Sequence, residues 1–586
     1  MVEEKKDTSF LIHAEIKKTF KLPITYDVDK MDLAENIVSD LELVKSSTPN
    51  NNSIYTTIFK PTNCFGETIV ELLPLHYTTN TKFLTDTQNL IKTVKFEPLI
   101  SMKNSKEIVT IWNELRNDIG FLQKYSYIDF EKLNFLNENV LFLQVKNLFG
   151  ILSPVVSLLL PLIIMIIPFL VLKIKFKPIT IALYIQVLST MIAKHAIFKL
   201  FQLKASDKLE EKVYAVGSAL VYVFTVYQNI MSCKNFYANM IEIHDKIFKL
   251  KKFVNSTLEQ SKIFLKSTEN LSTYTIFNSV LTSKMEVLLE IKTQMDAITS
   301  FCLNPKQLFL KSLQLGQISA LFYKLHKNDT YNDAMIYGMG VLGYVDNLVG
   351  LKTLHINKTI NVAKFIKNKS KSKFKGIFYP SDLENKKLIK NNYKFNKNVL
   401  LSGVNAGGKT TLLKSVLINT ILSQQYGFGF YKNCSLCPFK FIQCYLNIID
   451  DGDRLSLFEK ECQKCKNILD NVNENSKDTH LCVFDELFSG TNTEEAVVCG
   501  FNLLMHLNKN NKVHFLLTTH YNELCEKIEK NDIDKKTITK KMESSFNING
   551  DIKHTYKIKN GINSVKGGLE ILKKMNFPEN IFSTIL

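Results

Sequence analysis

The sequence predicts an α/β domain at the C-terminal end of the chain and a mostly α-helical region before it. Short apolar runs at 399–401, 481–484 and 513–517 end in polar residues and are separated by helical patterns. This is typical of a sheet of buried parallel strands. The first half instead contains a 26-residue run without any charge, at 147–172, between stretches of helical periodicity. The two architectures are therefore expected in one chain.

Length and composition indicate several folded domains. A chain of 586 residues is expected to form roughly two to four domains, and 45% hydrophobic with 22% charged residues leaves little room for disorder. We predict four segments, with a lysine-rich linker at 367–375 inside the third. They are a helical region at 1–145, a hairpin at 146–234, further helices at 235–375 and the α/β domain at 376–586.

The helices of the third segment are predicted from their apolar spacing. Ile241, Ile247, Leu250 and Phe253 recur at 3–6-residue spacing, which is typical of long amphipathic helices.

The charge balance narrows the classes of partner. The formal net charge is +18, which favours polyanions such as nucleic acid or an anionic membrane face. All basic residues except Arg116 and Arg454 are lysines, so a solvated lysine surface is the plain alternative. Eleven cysteines in a chain of this length do not indicate a disulfide scaffold, and no apolar stretch near the N-terminus predicts a secretory signal.

A glycine-rich loop follows the first predicted strand. Residues 399–410 read VLLSGVNAGGKT, and an apolar-periodic helix follows. Glycines let backbone N–H groups close around phosphates, and a helix N-terminus adds positive potential. Lys409 is predicted to reach the β- and γ-phosphates of ATP, and the Thr410 hydroxyl to coordinate Mg²⁺. The candidate nucleotide-binding residues of this loop are Gly403, Asn405, Gly407, Gly408, Lys409, Thr410 and Thr411.

Two acidic residues end the second predicted strand. The sequence HLCVFDE places Asp485 and Glu486 directly after an apolar run. Asp485 is predicted to join Thr410 in holding Mg²⁺, and Glu486 to orient or deprotonate the attacking water. The alternative, that both acids merely cap a helix, is disfavoured by the loop upstream.

The third predicted strand delivers Thr519 and His520, and His520 is expected to sense the γ-phosphate. Alone, such a histidine would more often be structural. With the two motifs above, it completes a predicted ATPase site whose catalytic residues are Lys409, Glu486 and His520.

The uncharged runs at 147–172 and 213–233 predict a transmembrane helical hairpin. The first would span about 39 Å as a helix, which is enough to cross a bilayer. The alternative is a pair of buried core helices. Pro154, Pro161 and Pro168 disfavour it, because interior prolines break soluble helices more readily than lipid-embedded ones. A shorter apolar run at 178–193 is expected to be re-entrant or interfacial.

Two spans would place both chain ends on one side of the membrane. The intervening loop, 173–212, carries eight lysines and by the positive-inside rule would prefer the cytosol. That conflicts with an ATPase site on the cytosolic side. We give the nucleotide site priority and expect a membrane-associated protein whose ATPase domain faces the cytosol, or a virion interior if the protein is viral.

Several motifs of the α/β domain resemble those of the MutS family. GVNAGGKTTLLKS is similar to the family loop GPNMGGKST, with Val404 in place of the proline. DELFSGTNTEEA and LLTTHYNEL resemble two further family motifs, and the C-terminal segment with Gly567, Gly568 and Pro578 is similar to the family's end. IIDDGDRLSLFEKE resembles the signature region. There Ser456, Phe458 and Glu461 are in register and Arg454 approximately so.

The resemblance implies an ABC-like, P-loop ATPase domain of the MutS domain V type, behind an all-α core with lever helices. It implies ATP and Mg²⁺ as ligands, and a homodimer in which Ser456 and Arg454 reach the partner's nucleotide. YPSDLENKKLIKNN is similar to a segment that touches adenine, where Asn391 is the candidate. Double-stranded DNA is the implied partner, as in mismatch repair. A general similarity extends to membrane-anchored MutS-like proteins and to those of large DNA viruses.

Two departures limit what the resemblance implies. The chain begins almost at the core, so a mismatch-reading N-terminal module is not expected. Phe65-Gly66-Glu67 matches that module's Phe-x-Glu wedge by spelling alone, and direct mismatch reading is therefore in doubt.

Four cysteines form two CxxC motifs, Cys434-x-x-Cys437 and Cys462-x-x-Cys465. Their 24-residue gap exceeds the usual zinc spacing of about 15–20. Reduced cysteines are expected, and zinc stays open.

A second class of function competes with the DNA-associated ATPase. Membrane spans beside a composite ATPase domain would also suit an ABC-type membrane transport or membrane-remodelling ATPase without a DNA role. The chain lacks the motif LSGGQ between its loop and Asp485, and two spans are few for a transport path, so we expect the first class.

Overall fold

The structure is a computed structural model of the whole chain. It describes residues 9–49, 51–96, 99–174, 180–192, 208–298, 314–380, 383, 388–446, 456–532, 535–546 and 552–565.

The described chain contains many helices in its first two thirds and most of its strands in the last third. The α-helices are α1 (Ser9–Thr19), α2 (Glu35–Asp40), α3 (Ile54–Phe59), α4 (Cys64–Val70), α5 (Thr81–Thr93), α6 (Met102–Asn117), α7 (Phe121–Lys124), α8 (Val140–Ile174), α9 (Ile181–Ile192), α10 (Leu209–Thr268), α11 (Thr275–Asp296), α12 (Leu315–Lys327), α13 (Asp329–Ile356), α14 (Lys409–Gln425), α15 (Leu457–Glu474), α16 (Thr493–Asn508) and α17 (Asn522–Asn531). The strands are β1 (Lys30–Asp32), β2 (His76–Thr78), β3 (Asn361–Phe365), β4 (Lys373–Ile377), β5 (Asn391–Lys394), β6 (Asn398–Ser402), β7 (Phe428–Gly429), β8 (Asn433–Leu436), β9 (Phe441–Tyr445), β10 (His480–Asp485), β11 (Val513–Thr519), β12 (Thr537–Phe546) and β13 (Ile552–Asn560).

The chain divides into two compact units, each assembled from three stretches of sequence. The first unit comprises 1–9, 107–255 and 286–335, and the second comprises 10–106, 256–285 and 336–586. Our four predicted segments were continuous, whereas these units are not. The helices α10, α11 and α13 each contribute residues to both units, so the division depends on contacts between residues far apart in the sequence.

A six-stranded sheet forms the frame of the second unit. Its order is β13-β12-β6-β11-β10-β9. Neighbouring strands are parallel from β12 to β9, and β12 and β13 form an antiparallel pair. The three predicted strands are present as β6, β10 and β11, which are buried almost throughout. Their continuous apolar runs are explained by cover on both faces of the sheet.

Helices α15, α16 and α17 pack with this sheet around one apolar core. It includes Phe484 of β10, Leu517 of β11, Val497 and Leu504 of α16, and Cys465 of α15. Helix α14 is buried on nearly all sides from Leu412 to Gln425, which is the pattern of a helix inside a domain.

A five-stranded sheet of order β5-β4-β8-β3-β7 also belongs to the second unit. The stretch 367–375, which we predicted as a linker, enters it through a 3₁₀ turn at Lys369–Lys371 and strand β4. Phe374 and Ile377 are buried while Lys373 and Lys375 are exposed. The alternation over 373–375 is a strand pattern, which the high lysine content obscured, and the register shifts between Phe374 and Ile377.

The first unit is helical in its described part. Helix α8 runs without interruption through Pro154, Pro161 and Pro168. It is joined to α10 by polar contacts, since Tyr222 Oη donates to Ser157 O over 2.7 Å and Asn229 Nδ2 donates to Ser157 Oγ over 2.6 Å.

Three helices of the described chain are long and apolar enough to cross a membrane, judged by length and composition. They are Val140–Ser157 within α8, α10 and α13. The predicted spans 147–172 and 213–233 lie within α8 and α10, and part of the run at 178–193 forms α9. The membrane location itself stays a prediction.

Two smaller expectations can be compared with the structure. Ile247, Leu250 and Phe253 are buried on α10, as expected for an amphipathic helix, whereas Ile241 is exposed. Phe65 is completely buried in α4, where it is part of the core.

Candidate nucleotide site

The glycine-rich loop joins strand β6 to helix α14 at the carboxyl end of the parallel strands. Gly408 caps the helix with φ +88°, and Ala406 also has a positive φ, +59°. A Cβ atom on Gly407 would lie 2.9 Å from Val404 O, and one on Gly408 would lie 2.9 Å from Tyr556 Cδ1. The loop thus needs glycine at 407 for space and at 408 for both conformation and space.

Lys409 turns its ammonium group back onto the loop. Its Nζ donates to Gly403 O over 2.8 Å and lies 3.3 Å from Asn405 Oδ1. It also pairs with Glu486 Oε1 at 3.1 Å, and the side chain is only 5% exposed. A cation held by carbonyl and carboxylate oxygens at a helix N-terminus can exchange these for phosphate oxygens.

Thr410 and Asp485 meet although they are 75 positions apart in the sequence. Thr410 Oγ1 donates to Asp485 Oδ2 over 2.8 Å, and Thr518 Oγ1 donates to Asp485 Oδ1. The contact follows from the sheet, because β6 and β10 both flank β11 and end at the same edge. A hydroxyl and a carboxylate are oxygen donors of the kind that Mg²⁺ prefers.

Glu486 lies between a lysine and a histidine. Its Oε2 is 3.6 Å from His520 Nδ1, and its Oε1 contacts Lys409. The contact with His520, together with the charge of Lys409, lowers the pKa of Glu486 to about 2 despite partial burial. The carboxylate is therefore ionised near neutral pH, with its negative charge stabilised by both neighbours.

The backbone at this strand end is strained. Glu486 and Phe488 adopt φ +51° and +57°, a region that residues other than glycine seldom occupy. The Glu486 N–H nevertheless donates to Thr518 O over 3.1 Å, which continues the β10–β11 ladder and fixes the carboxylate at the edge. Such strain is often stored at functional sites.

A cavity of about 900 Å³ opens over the loop. Its lining includes loop residues 404–411 as well as Asn391 and Glu486. Sequence reasoning missed its other walls: Phe378, Tyr379, Met542 and Tyr556. Tyr379 is the first residue of the segment that resembles the adenine-contacting one, and Phe378 directly precedes it. That resemblance was the sequence signal that could have identified both residues. Met542 and Tyr556 come from the β12–β13 pair, which only the folded sheet brings here.

Asn391 lines the cavity, but its amide already has partners. Nδ2 donates to Tyr556 O over 2.9 Å, and Oδ1 accepts from Ile558 N at 3.0 Å. The side chain thus anchors β13 to β5, which leaves less of it for the predicted contact with adenine.

Ser456 caps helix α15 and does not line the cavity. Its Oγ accepts from Glu459 N at 3.3 Å, and Glu459 Oε2 accepts from Ser456 N at 2.8 Å, which is a capping box. Ser456 is exposed. Arg454 lies outside the described residues, as do Gly567, Gly568 and Pro578.

Glu461 was noted in the sequence only as part of a motif, yet it is a buried contact of the site. On α15 it is 1% exposed. Its Oε1 accepts from Ser489 N and Oγ at 3.0 and 2.9 Å, and its Oε2 accepts from Gly490 N at 3.2 Å. It therefore connects the helix that Ser456 begins to the loop that follows Glu486.

The CxxC pairs lie on different elements. Cys434 belongs to β8 and Cys437 follows it, while Cys462 and Cys465 lie on α15. Within the described residues, no three His, Cys, Asp or Glu side chains form a group that could hold a metal ion.

Known proteins similar to this chain match the part that contains this site. The family model for MutS domain V matches residues 399–585, which contain the glycine-rich loop, Asp485, Glu486 and His520. Endonuclease MutS2 of Lactococcus lactis subsp. cremoris is 31% identical over 208 residues, covering 34% of this chain and 25% of that protein.

Two further relatives match the same part. DNA mismatch repair protein MSH7 of Arabidopsis thaliana is 24% identical over 201 residues, covering 32% of this chain and 17% of that protein. MutS protein homolog 4 of Mus musculus is 30% identical over 190 residues, covering 31% of this chain and 19% of that protein. The matched part spans a quarter or less of the length of these relatives.

The C-terminal part of the chain is thus a MutS domain V, preceded by a mostly helical region. Through this domain, these matches support membership of the MutS family, as the resemblance of the motifs in the α/β domain predicted.

Proposed function

We propose that this protein binds and hydrolyses ATP at the loop 403–410, as a P-loop ATPase of the MutS type that associates with DNA and is anchored in a membrane. The observation that carries the proposal is the 2.8 Å contact between Thr410 Oγ1 and Asp485 Oδ2. It joins the glycine-rich loop to the acidic end of β10, the two motifs on which the proposed ATPase activity depends.

The residues present fit ATP with Mg²⁺. The cavity is large enough for a nucleotide, and Gly407 and Gly408 leave backbone N–H groups accessible where a Cβ would intrude. Thr410 and Asp485 would hold Mg²⁺, which when bound neutralises phosphate charge. Lys409 would bind the β- and γ-phosphates, and Phe378, Tyr379 and Tyr556 would form apolar walls for the base.

Glu486 acts on the attacking water. In the present contacts Lys409 holds its carboxylate, so transfer of Lys409 to phosphate oxygens would release one oxygen to orient the water and accept its proton. His520, on the neighbouring strand end, keeps the carboxylate ionised and in place.

The proposed assembly is a homodimer with composite sites. Ser456 is exposed and does not line the cavity of its own chain, which suits a residue that would contact the nucleotide of a second copy. The relatives' names refer to mismatch repair and to an endonuclease, and a net charge of +18 supports association with DNA. The ABC-type transport alternative has no support among these relatives.

The membrane anchor is proposed from α8 and α10. The apolar side chains Phe149 and Leu152 on α8 and Leu220, Val223 and Phe224 on α10 are exposed, although exposed apolar surface of this extent is unfavourable in water. A bilayer around 147–172 and 213–233 would cover it.

The test of the ATPase is Lys409→Ala in the full chain purified in detergent. Loss of charge-assisted contacts to phosphate should weaken ATP binding by at least about a hundredfold, or roughly 2.7 kcal/mol. Lys466→Ala, an exposed lysine on α15, is the matched control. Equal ATP affinity in both variants would refute the proposed site.

Composite sites are tested by mixing Lys409→Ala with Ser456→Ala protein after dissociation and reassembly. Each heterodimer would contain one intact site, so activity should return in the mixture. Verified mixing without recovery, or full activity of a monomer, would exclude the shared site.

A further inference from the structure

Two adjoining cavities form a groove on the second unit, beside strands β5, β12 and β13. They have volumes of about 680 and 440 Å³ and share Asn396 and Lys397. We call them together the lysine groove. Only Asn391 of its lining also lines the nucleotide cavity, so the groove is a separate feature.

The lining of the lysine groove carries a large excess of positive charge. A single carboxylate, Glu543, faces nine lysines in the described lining. These lysines are Lys369, Lys390, Lys394, Lys397, Lys535, Lys536, Lys540, Lys557 and Lys559.

Strand geometry explains why these lysines share one groove. Lys557 and Lys559 are two positions apart on β13, so the strand period of two directs both side chains to one face. Lys394 is at an exposed position of β5. Lys540 of β12 is paired in register with Asn560 of β13, and its Nζ donates to Asn560 Oδ1 over 2.8 Å. The basic face is therefore built into the sheet.

Within the described lining, one carboxylate accompanies nine lysines, and the ion pair between Lys559 and Glu543 is long at 4.0 Å. Lys369 is partly buried, and its Nζ donates to the carbonyl oxygen of Val513. Burial lowers the pKa of Lys369 to about 8 and, with the charge of Lys394 nearby, also lowers that of Lys540. An anion in the groove would relieve this unfavourable energy.

We propose that the lysine groove binds the phosphate backbone of nucleic acid without regard to sequence. Two joined cavities suit a chain of phosphates better than a single small anion, and asparagine side chains such as Asn392, Asn396 and Asn560 can contact phosphate and sugar oxygens. This inference rests on the proposed DNA association and gives it a location.

The surface around the groove disfavours a membrane as occupant. Among the described residues after Ile356, the large apolar side chains that are exposed are Val498 and Tyr556, and neither lines the groove. A peripheral membrane surface would need apolar side chains to insert beside its basic ones.

The experiment neutralises four groove lysines in the full chain, in detergent: Lys394→Gln, Lys397→Gln, Lys535→Gln and Lys559→Gln together. The matched control replaces Lys82, Lys92, Lys466 and Lys477, which are exposed lysines of the same unit outside the groove, with glutamine. Binding of a labelled 30-base-pair duplex is measured by fluorescence anisotropy from 50 to 200 mM salt. ATPase activity without DNA is measured for each protein.

The groove variant should lose about 3–4 units of the slope of log affinity against log salt, since each phosphate contact contributes about 0.9. Over this salt range the wild-type protein would then lose about a hundredfold more affinity than the variant, while the control behaves as wild type and all ATPase rates agree. Wild-type DNA binding by the groove variant would overturn the location and leave DNA association standing.

Two other results would also overturn it. No duplex binding by the wild-type chain at 50 mM salt would remove both the groove and DNA association, but not the separately measured ATPase. Displacement of the duplex by phosphatidylserine micelles, more strongly than by unlabelled duplex at equal phosphate concentration, would assign the groove to lipid instead.

Discussion

The C-terminal sheet and the long helix α10 use apolar residues in opposite ways. Strands β6, β10 and β11 are buried almost throughout, and the polar residues at their ends meet in one site. On α10, Leu220, Val223 and Phe224 are 65%, 61% and 57% exposed. Burial within the chain accounts for the first set, whereas the second needs cover from outside it.

Helix α13 shows that composition alone does not separate these cases. It is as suitable as α10 for crossing a membrane by length and apolar content, but 89% of its apolar window is buried against 11% for α10. Its glycines let other segments approach closely. A Cβ on Gly343 would lie 2.4 Å from Phe65 O, and one on Gly350 would lie 1.7 Å from Phe59 O. Neighbours, rather than hydropathy, determine the environment of an apolar helix.

The largest expected effect tests the polar edge of the sheet. Glu486→Gln removes the proton acceptor but keeps the shape, so kcat should fall on the order of 10²–10⁴-fold while ATP still binds. Glu494→Gln, an exposed carboxylate in the first turn of α16, is the control. A wild-type kcat for Glu486→Gln, measured by phosphate release, would show that the sheet edge does not supply the base.

The next prediction tests the exposed face of α10. Val223→Lys places a charge at the centre of the run 213–233, where a bilayer would oppose it by about 2.5–3.5 kcal/mol. The carbonate-resistant membrane fraction should therefore fall strongly. Ile241→Lys, on the exposed part of the same helix beyond the run, should have little effect. If the two variants partition alike, or if the wild-type chain stays soluble, lipid is not the missing cover.

A smaller effect is expected at Glu461, which links α15 to the catalytic edge. Glu461→Gln weakens the charge-assisted hydrogen bonds from Ser489 and Gly490, at a cost of about 2–3 kcal/mol in unfolding free energy. It should lower kcat about tenfold with the KM for ATP within about twofold. Glu459→Gln, two residues earlier and exposed, keeps the capping box because glutamine can replace glutamate there, so its stability and kcat should stay close to wild type. Loss of stability without a change in kcat would restrict Glu461 to a structural role.

The smallest effect concerns the charge of Lys369, which is partly buried. Its pKa is about 8 when folded and near 10.4 when unfolded, so between these values the unfolded chain binds more protons. Stability should then rise with pH from 8 to 10 by about 1–2 kcal/mol. Relative to Lys369→Met, the wild-type melting temperature should increase by a few degrees over this interval. Parallel melting curves at all pH values would contradict a partly buried, protonated Lys369.

Local sequence was sufficient to predict the structure wherever a single motif contains all the residues that form it. The loop 403–410 contains its own strand, glycines and helix start, so its position and the placement of Lys409 and Thr410 were predicted from short-range order. The pairing of Thr410 with Asp485 also followed, because buried parallel strands end at a common edge. Likewise the uncharged runs predicted the long helices α8 and α10 from composition alone.

Tertiary structure decided whatever depends on distant neighbours. Tyr556 and Met542 reach the loop only because β12 pairs with β6 and then with β13, and the same pairing occupies Asn391. The buried contacts of Glu461 depend on where α15 packs against the loop after Glu486. Periodicity records which face of an element is apolar, but not which partner covers it. For that reason 367–375 contributes a 3₁₀ turn and the start of β4 instead of a linker. Likewise α13 is buried, while apolar side chains in the run 213–233 of α10 are exposed.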